Sequence, residues 1–355
     1  MRLILKKLTY MLIGLTYDLR DEYLKMGFSD IETAEFDRED TISSIETALS
    51  ELGYFTDRIG HIKNLVSRLY RGDRWDLVFN ISEGMFGEGR EAQVPALLDA
   101  YRIPYVFSGP LVMALTLNKA LTKVVVKDAG VATPEHFVVY KKSDIAKVNL
   151  PFPLFVKPVA EGTGKGIDPD SVISGRQQLE YKCGELLERY QQPVLVETYL
   201  SGREFTAGIV GTGEKARCIG VIEIILKENA EQGVYSYVNK EECEERIIYS
   251  LTDQDAVEAC SELALKAWKC LRAEDGGRVD IRFDHLGNPH FLEINPLAGM
   301  HPEHSDLPIL AGLHGIPYLR LMQMIMDSAV RKVKHAAHER FTPDDQFDLQ
   351  GIVPG

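Results

Sequence analysis

Apolar residues recur along this chain in two rhythms. In the first third, the short apolar runs YMLIGLTY (10–17), WDLVFNI (75–81) and PYVFSG (104–109) read as strands, while TISSIETALSELGY (41–54) and AQVPALLDAYRI (92–103) carry helical patterns. Strands and helices alternating over short connections predict a parallel sheet flanked by helices. Residues 18–40 are polar and acidic and read as a loop or lid at the sheet edge. Residues 110–130 predict one helix, stopped by Gly130 ahead of Thr133-Pro134.

Beyond Gly130 the pattern changes. HFVVY (136–140), FPLFVKPV (152–159), VLVETYL (194–200) and EFTAGIVG (204–211) are strand-like, and GRQQLEYKCGELLERY (175–190) is helical, which predicts a small α+β domain with an antiparallel sheet. CIGVIEIIL (218–226), a helix over 255–272 and the strands GRVDIRFD (277–284) and PHFLEINP (289–296) follow. The turn cluster from Asp284 to Asn288 closes that last pair as a hairpin. The expected fold class is α/β and α+β multidomain with an N-terminal parallel-sheet domain. Its units are placed at 1–115, 116–212 and 213–335, with a loose polar tail at 336–355. A length of 355 residues suits two or three compact units.

Composition narrows the partners. With 45% hydrophobic and 26% charged residues the chain reads as globular, and a net charge of -13 repels nucleic acid and anionic lipid. A small-molecule substrate is expected, with no nucleic-acid and no membrane partner; a homodimer is compatible with the sequence. The five cysteines are scattered and never paired as C-x-x-C, which signals neither a zinc knuckle nor a disulfide framework and fits a reducing cytoplasm. Lys6 and Lys7 interrupt the apolar opening, so it does not read as a secretory signal; Met11 opens the first strand, and residues 1–10 read as an upstream extension.

Three clusters carry candidate chemistry. In VKPVAEGTGKGI (156–167), a strand-end Lys157 precedes Gly162, Thr163, Gly164 and Gly166, so successive backbone amides can turn toward a polyphosphate while the lysine neutralises it. A surface hairpin would use the same glycines for its turn alone. On the predicted hairpin, Arg278, Asp280 and Arg282 alternate with Val279, Ile281 and Phe283, and Glu293 and Asn295 share one face of the partner strand. Two carboxylates and an amide oxygen suit magnesium, which prefers oxygen ligands; a solvated polar face is the plainer alternative. LVETYLSGREF (195–205) ends a strand in Glu197, Tyr199 and Leu200, an acceptor and an apolar shelf suited to a purine or ribose, and equally an ordinary strand end.

The order of these clusters resembles the ATP-grasp superfamily, and within it the D-alanine–D-alanine ligase family, from about Gly14 to residue 330. EGMFGEGREAQVPALLDAYRIPYVFSGPLVMALTLNKALTK (83–123) is similar to that family's glycine-acidic loop, helix and D-K-x-x-x-K segment. The resemblance implies an N-terminal α/β domain, a small central grasp domain and a larger C-terminal domain, with ATP between the last two. It implies that Lys119 and Lys157 hold ATP phosphates with Gly162 and Gly164, and that Glu197, Tyr199, Leu200 and Glu204 form the adenine and ribose platform. Lys240 would sit on a mobile closing loop spanning about 228–245. Asp280, Glu293 and Asn295 would bind two magnesium ions, replaceable by manganese, and Arg278 would stabilise an acyl phosphate. Glu83, Glu88, Gly299, Ser305 and Leu307 fall where the family binds its two substrates.

The implied activity is ATP-dependent joining of a carboxylate to an amine through an acyl phosphate, acting on amino-acid or peptide substrates. The departures concentrate in the amino-acid half. Leu19 stands where the family uses a glutamate for the first substrate's ammonium, leaving Asp18 or Asp21 as substitutes. Glu83 replaces a histidine, Thr163 a serine, Glu241 a tyrosine, and NPLAG replaces NTSPG. D-Alanine is therefore expected to be a poor first substrate. A nucleotide-binding regulator without catalysis is the alternative, opposed by the retained Arg278 and metal ligands. No G-x-G-x-x-G follows the first strand, which disfavours a dinucleotide oxidoreductase.

Overall fold

The structure is a computed structural model that describes residues 11–339; the expected extension 1–10 and most of the tail lie outside the described residues. The N-terminal sheet is built from β1 (Leu12–Thr16), β2 (Phe55–Arg58) and β3 (Leu77–Asn80), parallel, in the order β2-β1-β3. Around it lie α1 (Arg20–Lys25), α2 (Glu39–Glu51), α3 (Ile62–Tyr70) and α4 (Gln93–Ala100). The stretch 104–109 forms no strand. It contributes a single parallel bridge, Val78 to Tyr105, because Phe107 takes φ 74° and gives its N–H to Asp275 rather than to a ladder.

The expected helix over 110–130 is two, α5 (Pro110–Leu117) and α6 (Lys119–Asp128). Asn118 leaves helical torsions at the junction, with ψ 95°, and its side chain caps the Leu121 N–H at 3.0 Å. The break aims Lys119, the first residue of α6, into the cleft described below. The supposed loop 18–40 contains α1 and the first residues of α2.

The central unit holds β4 (His136–Val139), β5 (Leu154–Pro158), β6 (Val172–Ile173), α7 (Arg176–Tyr190) and β7 (Val194–Thr198), with strand order β4-β7-β5-β6, all antiparallel. Leu179, Cys183 and Leu186 of α7 pack on Val156 and Val196 of the sheet. The strand β8 (Glu204–Val210) was grouped with this sheet by its sequence, but its ladders run to β9 (Arg217–Leu226) on one side and β11 (Gly276–Phe283) on the other.

That larger antiparallel sheet has the order β10-β9-β8-β11-β12, with β10 (Ile247–Leu251) and β12 (Pro289–Asn295) at its edges. Between β9 and β10 sit two short helices, α8 (Tyr237–Glu241) and α9 (Cys243–Arg246), and α10 (Gln254–Cys270) covers one face through Cys260, Ala264 and Trp268. After β12 come α11 (Asp306–Leu313) and α12 (Tyr318–Glu339). Leu321, Ile325 and Ala329 of α12 join Ile13, Leu15 and Phe79 in one buried cluster, so the last helix fastens the parallel sheet to the C-terminal part of the chain. The tail expected to begin at 336 is helical through Glu339.

Candidate active site

The strand pair β11–β12 builds the centre of the site. Its register places Asp280 opposite Glu293 and Arg278 opposite Asn295, so alternation brings all four side chains to one face. The Thr206 hydroxyl donates to Asp280 at 3.0 Å and the Asn295 amide at 3.3 Å, while Arg278 pairs with the same carboxylate. Lys119 lies 3.2 Å from Glu293. Burial lifts the Asp280 carboxyl above its ordinary pKa, with Arg278 opposing and the Glu293 charge adding to the rise. Glu293 is driven well below the carboxylate range, because Lys119 and Lys157 outweigh its burial. A buried carboxylate, a half-buried one and an amide oxygen fit a hard divalent cation, which would neutralise charge that Arg278 and Lys119 now offset.

One cleft opens between the two antiparallel sheets, lined by Phe155, Lys157, Glu197, Tyr199, Leu200, Glu204, Asp280, Arg282 and Glu293. The Glu197 carboxylate sits 3.0 Å from both Lys123 and Lys157. Those lysines pull it down to about 2 against its burial, so this group orders the two lysines, and the apolar shelf falls to Tyr199 and Leu200. Glu204 pairs with Arg282 at 3.1 Å, and Arg282 also donates to the Tyr199 hydroxyl at 3.2 Å.

A second cleft runs from Lys119 and Thr163 past Arg278 and Asn295 to Gly299, walled by Glu35, Glu83, Glu91 and Glu161. The glycine-rich loop enters it with Thr163 and Gly164 at φ 50° and 70°. A Cβ on Gly164 would come within 2.8 Å of the Tyr237 nitrogen, so glycine lets this loop abut α8. The loop is pinned by Glu35, which accepts the Gly162 N–H at 2.6 Å and pairs with Arg90 and Lys165 at 2.7 and 3.0 Å. Glu83 and Glu91 face the same cleft without a side-chain hydrogen bond or ion pair to any described residue. Burial pushes Glu83 well up, with Glu91 and Glu35 adding to it. Burial also raises Glu91, to about 7, against the pull of Arg90.

A third, more polar cleft of about 230 Å³ lies beyond Arg278, lined among others by Arg20, Asp37, Lys240, His301, His304, Ser305 and Asp306. Lys240 faces both this cleft and the inter-sheet one, with its ammonium 4.6 Å from the Tyr235 ring centre. Glu241 is 3.6 Å from Arg20, so its charge is met by the N-terminal unit.

Two of the expected substrate residues lie elsewhere. Glu88 is exposed on its loop and lines none of the three clefts. Leu307 is fully buried, its side chain packing over Gly208 of β8, and the residue that turns into the cleft is its neighbour Asp306. Asp306 accepts the Tyr249 and Tyr235 hydroxyls at 2.9 and 3.3 Å and stands 3.6 Å from Arg278. An acidic first residue in a helix that opens D-L-P was its one sequence signal. Asp18 is taken up by the Tyr23 hydroxyl at 2.5 Å and the Gly84 N–H at 2.9 Å, and Asp21 is exposed. Sequence reasoning also passed over Lys123, Glu35, Glu91 and Asp306, whose roles rest on contacts between distant segments.

Comparisons with known proteins agree with this arrangement. A family model described as D-ala D-ala ligase C-terminus matches residues 125–327. The D-alanine–D-alanine ligase of Aquifex aeolicus is 32% identical over 290 residues, covering 81% of this chain and 93% of that protein. An uncharacterized protein of Sinorhizobium fredii is 30% identical over 304 residues, covering 81% and 87%. The crystal structure of Bacillus anthracis D-alanine–D-alanine ligase complexed with ATP superposes with TM-score 0.69 at 22% identity, over 92% of this chain and 99% of that one. Sequence likeness across four fifths of the chain and a shared ATP-grasp architecture lead to one conclusion: the chain belongs to the D-alanine–D-alanine ligase family, ligases that use ATP and a divalent metal.

Proposed function

We propose that the chain couples ATP cleavage to peptide-bond formation between a carboxylate and an amine, with an amino-acid pair other than two D-alanines. The observation that carries the reading is the β11–β12 face, which sets Arg278, Asp280, Glu293 and Asn295 between the lysine-bearing nucleotide cleft and two polar clefts.

In this reading ATP lies between the antiparallel sheets, its base against Tyr199 and Leu200, its ribose toward Glu204 and its phosphates toward Lys157, Lys119 and the amides of Gly162 and Gly164. Asp280, Glu293 and Asn295 would hold two magnesium ions, which supply charge neutralisation at the phosphates when bound. A substrate carboxylate oxygen attacks the γ-phosphorus, ADP leaves, and the acyl phosphate remains. Lys119, Lys157 and Lys240 offset the negative charge gathered in that transfer. The second substrate's amine then attacks the acyl carbon, Arg278 stabilises the oxyanion, and phosphate departs. The Thr163 hydroxyl and Lys240 close the space around the intermediate, which water would otherwise hydrolyse.

The substrate reading rests on the altered walls. Leu19 cannot pair with an ammonium, Asp18 is already engaged, and the unpaired carboxylates of the second cleft are Glu83 and Glu91. They favour a first substrate that brings a cationic group to that loop. The amine-side cleft, with Asp306, His301 and Arg20, favours a polar second substrate larger than alanine. Such an ATP-consuming synthesis belongs in the cytoplasm. Phosphate release measured across a panel of acid and amine pairs tests the proposal; a panel including basic amino acids that yields no substrate-dependent release refutes ligase chemistry for this chain.

A further inference from the structure

A cluster outside the nucleotide and metal centre joins the segment that carries Lys240 to the turn ahead of α11. His304 Nδ1 lies 2.9 Å from a Glu244 carboxylate oxygen and 3.7 Å from the Cys243 sulfur, and the three donor atoms fall within 4.8 Å of one another. We propose that Cys243, Glu244 and His304 form a site for a thiophilic divalent cation of the zinc class, which ties α9 to the 301–305 turn.

Sulfur, imidazole nitrogen and carboxylate oxygen are the donors zinc takes, at bond lengths that separate tetrahedral donors by roughly 3.2–3.8 Å. The sulfur–nitrogen separation lies within that range and the nitrogen–oxygen one just below it, close enough for side-chain rotation to complete the set. The turn is already ordered for the purpose: the His301 ring nitrogen accepts the backbone N–H groups of Glu303 and His304 at 3.2 and 3.1 Å. Cys243 is buried, His304 half-buried and Glu244 exposed, so a cation reaches the site from the open side while the sulfur is held against Ile247 and Leu310. Binding releases the thiol proton to solvent and leaves His304 neutral. Three protein donors leave a fourth position toward the polar cleft that His304 lines. Cysteine spacing gives no hint of this, because the histidine is about sixty residues away in sequence.

The consequence is a tether. Lys240 and Ser305 lie on the two segments that the cation would join, and both line the amine-side cleft. With the cation bound, the α8–α9 segment stays down over the site whether or not nucleotide is present, which slows substrate entry and product exit.

Cobalt(II) titration of the full chain tests the assignment, because a thiolate-to-cobalt charge-transfer band reports the cysteine and ignores the oxygen-ligand centre. The band is expected in the unaltered chain and in Cys218→Ser, absent in Cys243→Ser, and at least roughly tenfold weaker in affinity in His304→Gln and Glu244→Gln. Zinc alone should also slow proteolysis within 228–245, with no such effect in His304→Gln. No band, a band that survives Cys243→Ser, or full affinity in both the His304→Gln and Glu244→Gln variants overturns the site. Should Cys243→Ser misfold, the two milder variants still decide.

Discussion

Glu197 shows how one side chain can order the proposed nucleotide cleft, by holding two of its lysines. Its carboxylate is shared by Lys123 and Lys157, and burial holds Lys123 down to about 8 while Glu197 works the other way. Lys157→Ala leaves Glu197 with one partner, so nucleotide affinity should fall at least tenfold and stability by roughly 3 kcal/mol, the scale of breaking a buried ion pair. Calorimetric titration with ATP and urea unfolding measure the two losses; ATP affinity equal to that of the unaltered chain removes Lys157 from the site. Glu91 makes a pH prediction of the opposite kind. Its folded pKa, about 7, stands above the unfolded value of 4.5, so the fold favours the protonated acid. That contribution is complete below 4.5 and is lost as pH rises through about 7. Glu197, at about 2, acts in a separate window, stabilising above 4.5 and losing its effect as pH falls toward 2. Thermal melts of Glu91→Gln should therefore decline less steeply than those of the unaltered chain between roughly pH 5 and 8, and parallel curves would assign the slope to other groups.

At the scale of elements, the β11–β12 pair was legible because period-two alternation needs no distant information: Val279, Ile281 and Phe283 go to the core and Arg278, Asp280 and Arg282 to the cleft. The prediction that follows is that Asp280→Asn and Glu293→Gln raise the magnesium needed for half-maximal turnover and cut turnover by at least about a hundredfold, the scale of losing charge stabilisation in a dry site. Circular dichroism should stay unchanged, since each carboxylate faces cationic side chains in the cleft rather than the core. Full turnover at low magnesium would reduce both residues to a polar sheet face. Less of the surroundings could be read. Apolar periodicity runs straight through Asn118, and only its torsions and side-chain cap reveal two helices. Sheet membership of β8 depends on partners on both sides that local pattern does not name. β10 is a half-buried edge strand of five residues, IIYSL, too short for its apolar run to tell strand from helix. Leu307 and Asp306 exchanged roles because a one-residue shift at a helix start turns the next side chain by about 100°.

Across the whole molecule, the nucleotide half and the amino-acid half are built from different sources. The lysines and proposed metal-side carboxylates stand on paired strands and a helix start, whereas the proposed substrate walls draw on segments that meet only in the fold, among them residues 34–41, 83–91 and 299–306. Glu35 couples the halves, since its salt bridges to Arg90 and Lys165 hold the phosphate loop against the N-terminal unit. Changes in the walls away from the Glu35–Arg90–Lys165 bridges are therefore expected to redirect substrate choice without disturbing nucleotide binding. Burial and the Glu35 charge push both Glu83 and Glu91 toward the protonated acid, and Arg90 opposes without an ion pair to either among the described residues, so holding both carboxylates ionised in the half-buried cleft is costly. A substrate ammonium or guanidinium between them relieves that cost, and D-alanine, whose single ammonium must reach the position of Leu19 in this family, does so less well. Glu83→Gln and Glu91→Gln should each raise KM for a cationic acid substrate by roughly tenfold or more while leaving KM for ATP unchanged, since loss of one charged hydrogen-bond partner is worth about 1.5–3 kcal/mol. Initial rates of phosphate release over a grid of basic, neutral and acidic first substrates measure this directly. Selective and efficient D-alanine dimer synthesis, insensitive to both substitutions, would show that the two carboxylates play no part in recognition and that the inherited pocket works despite its altered wall.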